Sequence, residues 1–407
     1  MEYSTIWDIC SNVCSWWTPT STNESYYNGW IPWLNTNEVN FCNIYSTNKT
    51  ISEEWLKKSA AKYVPINTVI VAMYWVTAWK SAIARIPLTT NQACCNLIID
   101  DKKAYFEYVY YFLMQQSEHL NSLANGWAQQ NLNSNIIKKY KIPLPDLLIQ
   151  KKTANILSCF DKSIENNNKR VKILEEMAEQ IYKEWFVRFR FPWYKECEFE
   201  DWIPKWWDKV RMKYFWFSLD TGKRPKWWID DSIEEGIPSL WAESIDSLWV
   251  FDYTSVKYIS YEFYKSMKRW HIKDWDILLY KDWAYIWKVT KFWNKFPFEK
   301  CTVNEHVFLV RTDEPEYQNY LFFTLKTKEY FNLMQNLNRN AAQPWLSTKD
   351  IEWIKLLKPD VNVVNEFNKI IDPILNEIFI LWKNNKKLMV QRDLLLPRLM
   401  SWKLEVK

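Results

Sequence analysis

At 407 residues the chain is long enough for two or three domains with separate cores, and its net charge of +5 permits a nucleic-acid partner without arguing for one. The Cys residues show no secreted framework, and the opening residues lack the charged, apolar and small order of an export signal. The longest apolar run, residues 64–79, is broken by Pro65, Asn67, Thr68 and Thr77, so it predicts a buried strand pair rather than a membrane span, and a reduced cytoplasmic protein is expected.

In chain order, a Ser/Thr/Asn-rich loop over 15–28 leads into Ile31-Pro32-Trp33-Leu34. Residues 69–74 are rich in Val and Ile and predict a buried strand, and residues 103–123 predict a helix packed on it. The stretch 145–191 follows. In it Leu157, Phe160, Ile164, Asn167, Val171, Leu174, Ala178, Ile181 and Trp185 recur in steps of three and four, an a/d seam with one polar Asn inside. Lys162, Lys169, Arg170, Lys172, Glu175, Glu176 and Lys183 occupy the solvated faces. One such stripe is not stable alone and needs a partner helix.

Residues 189–204 are aromatic, charged and turn-rich, a connection into the second half. A strand at 277–280 and a helix at 317–337 are predicted there. The partner stripe closes the chain: Val364, Phe367, Ile371, Ile374, Ile378, Leu381, Asn385, Leu388, Arg392, Leu395 and Leu399. Pro373 and Pro397 lie within it and predict a kink or a break.

The halves resemble each other. Residues 15–34 match 221–240 at constant spacing: Pro19 with Pro225, Ile31-Pro32 with Ile237-Pro238, Leu34 with Leu240. Trp75, Trp79 and Lys80 align with Trp283, Trp287 and Lys288. Ala128-Gln129 and Pro145-Asp146 align with Ala342-Gln343 and Pro359-Asp360. A repeat of this length indicates duplication and a pseudo-twofold molecule, not a solenoid. The expected fold is α/β (α+β), two similar units joined by two long antiparallel coiled-coil helices.

One composition figure is abnormal: 4 Gly against 28 Trp. Many Trp stand where turns want glycine. Asp201-Trp202, Asp274-Trp275 and Asp282-Trp283 read like the Asp-Gly turns of hairpins, and Trp16-Trp17, Trp227-Trp228, Pro192-Trp193 and Pro344-Trp345 sit in loops. The pattern suggests a codon that the host reads as glycine. Keeping Trp33, Trp185, Trp207 and Trp382 as genuine would bring glycine to 28 of 407 residues, close to the usual ~7%. The alternative is a truly Trp-rich protein with aromatic platforms for bases.

Catalytic chemistry is scarce. His119, His271 and His306 have no metal or nucleophile-base spacing and read as ordinary histidines. Cys10-x3-Cys14 and Cys94-Cys95 lack the further ligands of a zinc site. No Asn-Pro-Pro-aromatic motif for base methylation occurs. With Trp75 and Trp79 as glycine, residues 75–81 read Gly-x-x-x-Gly-Lys-Ser, one residue short of a phosphate-cradling loop, and Val289 follows Lys288 in the repeat. Both are read as strand-turn-strand loops with a projecting Lys.

Several motifs in order resemble the specificity subunit of type I restriction–modification enzymes. They are Thr18-Pro19 with Gly29-Trp30-Ile31-Pro32-Trp33, then Thr90-Asn91-Gln92 and Ala128-Gln129-Gln130-Asn131-Leu132. Ile142-Pro143-Leu144-Pro145 through Gln150, Leu174-Glu175-Glu176 and Trp185-Phe186-Val187 follow, and Arg392-Asp393-Leu394-Leu395-Leu396-Pro397-Arg398-Leu399-Met400-Ser401 closes the set.

The resemblance implies a non-catalytic, phage-defence subunit that binds double-stranded DNA at a split asymmetric site and docks two methyltransferase subunits and motor-nuclease subunits. S-adenosylmethionine, ATP and Mg would belong to those partners and none to this chain. It implies target-recognition domains at 1–145 and 191–358, with conserved spacer helices at 146–190 and 359–407 that set the gap between half-sites. Sequence must be read at base edges while basic groups hold phosphates. The DNA-binding candidates are Thr20, Lys57, Lys58, Lys62, Lys80 and Arg85 in the first domain, and Lys223, Arg224, Lys226, Lys288 and Lys291 in the second. Subunit docking is expected on the helices that carry Leu157, Phe160, Ile164, Leu174, Trp185, Ile371, Ile378, Leu388 and Leu395. The rival readings are a self-contained DNA methylase or nuclease and a coiled-coil scaffold that binds only protein.

Overall fold

The computed structural model describes residues 3–16, 23–59, 61–74, 78–122, 133–221, 235–240, 256–267, 271–280, 288–293, 295, 297–337 and 347–404, with side chains at 216–221 excepted. They form two compact units, Met1–Ile164 with Lys387–Lys407, and Glu165–Lys386.

In the first unit a sheet runs in the order Cys10–Cys14, Cys94–Ile99, Val69–Ala72, Ser81–Ala84, Cys42–Ile44. Val69–Ala72 is wholly buried and pairs antiparallel with both neighbours. Its β-branched side chains suit a strand covered on both faces. The apolar run at 64–79 therefore supplies one strand, whose hairpin partner is Ser81–Ala84 just beyond it. A second sheet centres on Tyr27–Leu34, antiparallel to Lys49–Ile51 and parallel to Thr89–Thr90. Tyr3–Thr5 pairs with Lys141–Pro143. Helix Phe106–Gln115 covers the large sheet, and Tyr108 Oη donates to the Pro143 carbonyl at 3.0 Å.

The second unit repeats this plan. Trp216–Thr221, Val307–Thr312, Ile277–Tyr280 and Val289–Lys291 form the larger sheet in that order. Ile237–Leu240 lies antiparallel to Lys257–Ile259 and parallel to Thr302–Val303, and Asp208–Arg211 pairs with Lys355–Lys358. On helix Gln318–Lys326, Tyr320 Oη donates to the Leu357 carbonyl at 2.5 Å. The helices expected over 103–123 and 317–337 are each divided, into Phe106–Gln115 and Ser117–Ser122, and into Gln318–Lys326 and Lys328–Leu337.

The two heptad stretches are helices Leu147–Tyr182, continued by a π-type turn Lys183–Val187, and Val361–Met400. The second runs unbroken through Pro373 and Pro397, against expectation. Both prolines are exposed, so each ring lies away from the packed face, and the buried Ile371, Leu375, Ile378, Leu396 and Leu399 hold the helix on either side.

Each unit fixes its share of the helix pair differently. In the first, Leu157 is buried with Leu396, Leu399 and Met400. Arg392 Nη1 donates to Asp161 Oδ1 at 2.6 Å, and Tyr111 Oη donates to Asp161 Oδ2 at 2.6 Å. In the second, Asn167 Nδ2 donates to Asn385 Oδ1 and Asn385 Nδ2 to Asn168 Oδ1, both at 2.8 Å. Arg170 pairs with Glu377 at 2.7 Å, so rising numbers on one helix meet falling numbers on the other and the segments run antiparallel. Asn385 is buried, and an amide pair inside an apolar seam specifies register at some cost in stability.

Candidate nucleic-acid interface

Two short helices begin alike. Ser52 Oγ accepts from the Trp55 amide at 3.4 Å to cap Glu53–Lys58, and Ser260 Oγ accepts from the Phe263 amide at 3.2 Å to cap Tyr261–Ser266. Their last turns end in cations, where the helix dipole favours positive charge: Lys57 and Lys58 in one, Lys265 in the other. Lys57 and Lys58 are exposed and pair with Glu53 and Glu54 one turn back. Such exposed pairs are weak and exchange readily for a phosphate. Lys62, just beyond, is exposed as well.

Lys265 is absent from the sequence-derived set. The signal that finds it is spacing, since Lys265 follows Ser260 by the same five positions that separate Lys57 from Ser52.

Lys80 and Lys288 are equivalent in backbone terms. The Lys80 carbonyl accepts from the Ala72 amide at 2.9 Å, and the Lys288 carbonyl accepts from the Tyr280 amide at 3.1 Å. Each closes the hairpin at the end of the central strand of its sheet, and each side chain is half-buried.

Two sequence candidates are engaged by groups of the protein itself. Arg85 donates through Nε to Asn43 at 2.8 Å, through Nη1 to Asn67 at 2.9 Å and through Nη2 to Glu107 at 2.7 Å. Its fork is occupied by protein groups. Lys291 is 2% exposed; its ammonium donates to Asn319 Oδ1 and lies 4.3 Å from the Trp275 ring centroid. Burial pushes this ammonium down to about 7 against the pull of Asp372. In this conformation neither side chain is presented to a phosphate: Lys291 is buried, and the donors of the half-buried Arg85 are claimed by protein groups. Thr20, Lys223, Arg224 and Lys226 fall outside the described residues, as do Trp75, Trp227, Trp228, Trp283, Trp345, Ala128-Gln129 and Ala342-Gln343.

Of the helix residues expected at docking sites, Leu157, Trp185, Ile371 and Ile378 are buried, while Phe160, Ile164, Leu174, Leu388 and Leu395 are half-buried. Their side chains pack inward. The apolar groups these helices leave exposed include Ile173, Met177, Ile370, Ile380, Val390 and Leu394.

Among the described residues no His, Cys, Asp or Glu group is placed to hold a metal ion, and no helix is long and apolar enough to cross a membrane. His119 contacts Tyr140 Oη at 2.6 Å and His271 the Met267 carbonyl at 2.8 Å.

Comparison with known proteins places this arrangement. Residues 1–176 match the type I restriction modification DNA specificity domain. The chain is 26% identical to the specificity subunit of the type I restriction enzyme MjaIX of Methanocaldococcus jannaschii, over 98% of this chain and 94% of that one. It is 24% identical to the EcoR124I/EcoR124II specificity subunit of Escherichia coli, over 46% and 48% of the two chains. In fold it is similar to the crystal structure of the type I S subunit from M. genitalium, with a TM-score of 0.58 at 16% identity over 98% and 95% of the chains.

Proposed function

We propose that this chain, which belongs to the type I restriction–modification specificity subunits, the non-catalytic components that recognise DNA sequence, reads a split and asymmetric target with one half-site per unit. The observation that carries the proposal is the duplicated sheet plan. Each copy offers a hairpin lysine, Lys80 or Lys288, and a capped helix with lysine in its last turn. Duplicated scaffolds with different loops suit two half-sites of different sequence.

Lys57, Lys58, Lys62, Lys80, Lys265 and Lys288 would hold phosphates and set register, while base edges are read by other side chains, with Thr20, Lys223, Arg224 and Lys226 as candidates. The recognition domains would occupy 1–145 and 191–358. The helices at 146–190 and 359–407 would set the gap between half-sites and dock two methyltransferase subunits and the motor-nuclease subunits, which supply S-adenosylmethionine, ATP and Mg chemistry. Docking would use the outward side chains of these helices, since the seam residues are spent inside.

Exchanging residues 15–140 for the equivalent segment of a relative tests the proposal. Methylation mapping of the assembled complex should show one half-site changed and the other kept. A change in both halves, or in neither, refutes independent reading.

A further inference from the structure

Among the described residues, the non-glycine positions with left-handed backbone are Asn28, Phe41, Asn67, Trp79, Phe189, Asp201, Trp202, Trp275, Lys295 and Trp402. Asn and Asp enter this region through local hydrogen bonds, whereas a bulky side chain there is an outlier. Trp makes up 28 of 407 residues yet four of these ten. Each of the four occupies a different backbone device, and all four devices ordinarily use glycine.

Asp201 and Trp202, at φ 48° and 66°, form the two-residue loop between Glu200 and Ile203 of a hairpin. Positive φ at both positions is the type I′ turn, whose sequence is Asp-Gly or Asn-Gly. The Trp202 indole is 88% exposed and so gains nothing from burial.

Trp275, at φ 77°, is the third residue of a turn closed by the Asp276 amide on the Lys273 carbonyl at 3.2 Å, where a type II turn takes glycine. Its ring centroid lies 3.5 Å from that of Trp293 at a 42° tilt. Aromatic pairs keep centroids about 4.5–7 Å apart, so this site has no room for two indoles.

Trp79, at φ 66°, donates its amide to the Ala72 carbonyl at 2.8 Å, while the Ala72 amide donates to the Lys80 carbonyl at 2.9 Å. Two residues against one, the first left-handed, is the β-bulge that begins with glycine. Trp402, at φ 60°, follows helix Val361–Met400, and the Leu404 amide returns to the Arg398 carbonyl at 3.2 Å. That is the glycine position of a helix C-terminal cap.

The duplication adds an independent comparison. Trp30-Ile31-Pro32 in the first half corresponds to Gly236-Ile237-Pro238 in the second, so the repeat itself writes glycine where Trp30 stands.

We infer that residues 79, 202, 275 and 402 are glycine in the protein as its host synthesises it, the codon written here as Trp being decoded as glycine. The same codon cannot encode every Trp of the chain. Trp33, Trp185 and Trp207 are buried, and none of them has a left-handed backbone. Trp55 belongs with them rather than with the suspect set suggested by composition: its indole is 5% exposed, packed with Ile31, Trp33, Ile51 and Ala61.

Peptide mass mapping of the protein from its own host decides the matter. Peptides spanning positions 79, 202, 275 and 402 should carry glycine, each lighter by the indole side chain, while those spanning 33, 185 and 207 should carry Trp. A Trp-containing peptide across any of the first four overturns the inference. Recombinant chains give a second measure. The W79G/W202G/W275G/W402G protein should melt several degrees above the chain as written, and W33G, W185G and W207G should each melt below it. A quadruple variant that melts no higher than its parent also overturns the inference.

Discussion

In the first unit a buried carboxylate, Glu107, is met by a full opposite charge: Arg85 reaches it at 2.7 Å and satisfies Asn43 and Asn67 with its remaining donors. In the second a buried ammonium, Lys291, faces the neutral amide of Asn319, which passes the contact on to Asp372 at 2.7 Å. The strand order Cys10–Cys14, Cys94–Ile99, Val69–Ala72, Ser81–Ala84 recurs as Trp216–Thr221, Val307–Thr312, Ile277–Tyr280, Val289–Lys291. The tyrosines Tyr108 and Tyr320 that tie helix to strand correspond as well. What duplication preserved is the apolar sheet and its backbone pairing. The interior charges diverged, because either arrangement satisfies the same scaffold.

The largest expected effect tests that contrast. Arg85→Ala leaves the buried Glu107 charge with only the Tyr105 hydroxyl as partner and should destabilise the first unit by about 3–5 kcal/mol in chemical denaturation. Lys291→Met removes a fully buried charge and its desolvation cost and should stabilise the second unit by about 1 kcal/mol below pH 7. The sign follows from linkage. Lys291 is pushed down to about 7 in the folded state from 10.5. Between those values the unfolded chain holds the proton and the folded chain does not, so stability rises with pH through that window. The Met variant should lose this slope. If its pH profile matches the parent, the two interiors do not differ as described.

A smaller effect separates the two seams. Asn385→Ala leaves Asn167 and Asn168 without their partner and should cost about 1–3 kcal/mol, whereas the double change Asn167→Leu with Asn385→Leu should be close to neutral or stabilising. In the first unit, Arg392→Ala strands Asp161 with only Tyr111 and should cost more than Asn385→Ala, because a charge is left behind. Equal costs measured by thermal melting would erase the distinction between a charged seam and an amide seam.

Much of this fold is legible in sequence where a period or a duplication carries the signal. The heptads place Leu157, Val171, Ala178, Ile371 and Ile378 on buried faces, and all are buried. The strand at Ile277–Tyr280 follows from four apolar residues between polar ones. Proline misleads, since Pro373 and Pro397 sit on the exposed side of a helix that neighbouring contacts sustain. Charge misleads more. Arg85 and Lys291 look like phosphate ligands in a list of cations, and only tertiary packing reveals Glu107 and Asn319 beside them. Lys265 is hard to read from sequence because its context in the second half, Tyr261-Glu262-Phe263-Tyr264, no longer resembles Glu53-Glu54-Trp55-Leu56. The capping serine and the spacing survive where the side chains do not.

The smallest expected effect concerns Lys80 and Lys288, and it tests whether the units remain equivalent where they meet DNA. In both, the lysine carbonyl accepts from the amide of the last residue of the preceding strand, Ala72 or Tyr280. If each neutralises one phosphate, Lys80→Ala and Lys288→Ala should each lower the slope of log affinity against log salt by about 0.9. At a single salt concentration the loss is only a few-fold. It should be the same for matched and mismatched targets, because a phosphate contact carries no base information. The double variant should lose close to the sum, since the two contacts share no partner. Binding of the assembled methyltransferase complex to its methylation-mapped site, titrated from low to physiological salt, measures all three slopes. A variant whose slope is unchanged removes that lysine from the interface. A change confined to one unit would mean that duplication kept the hairpin but not its use.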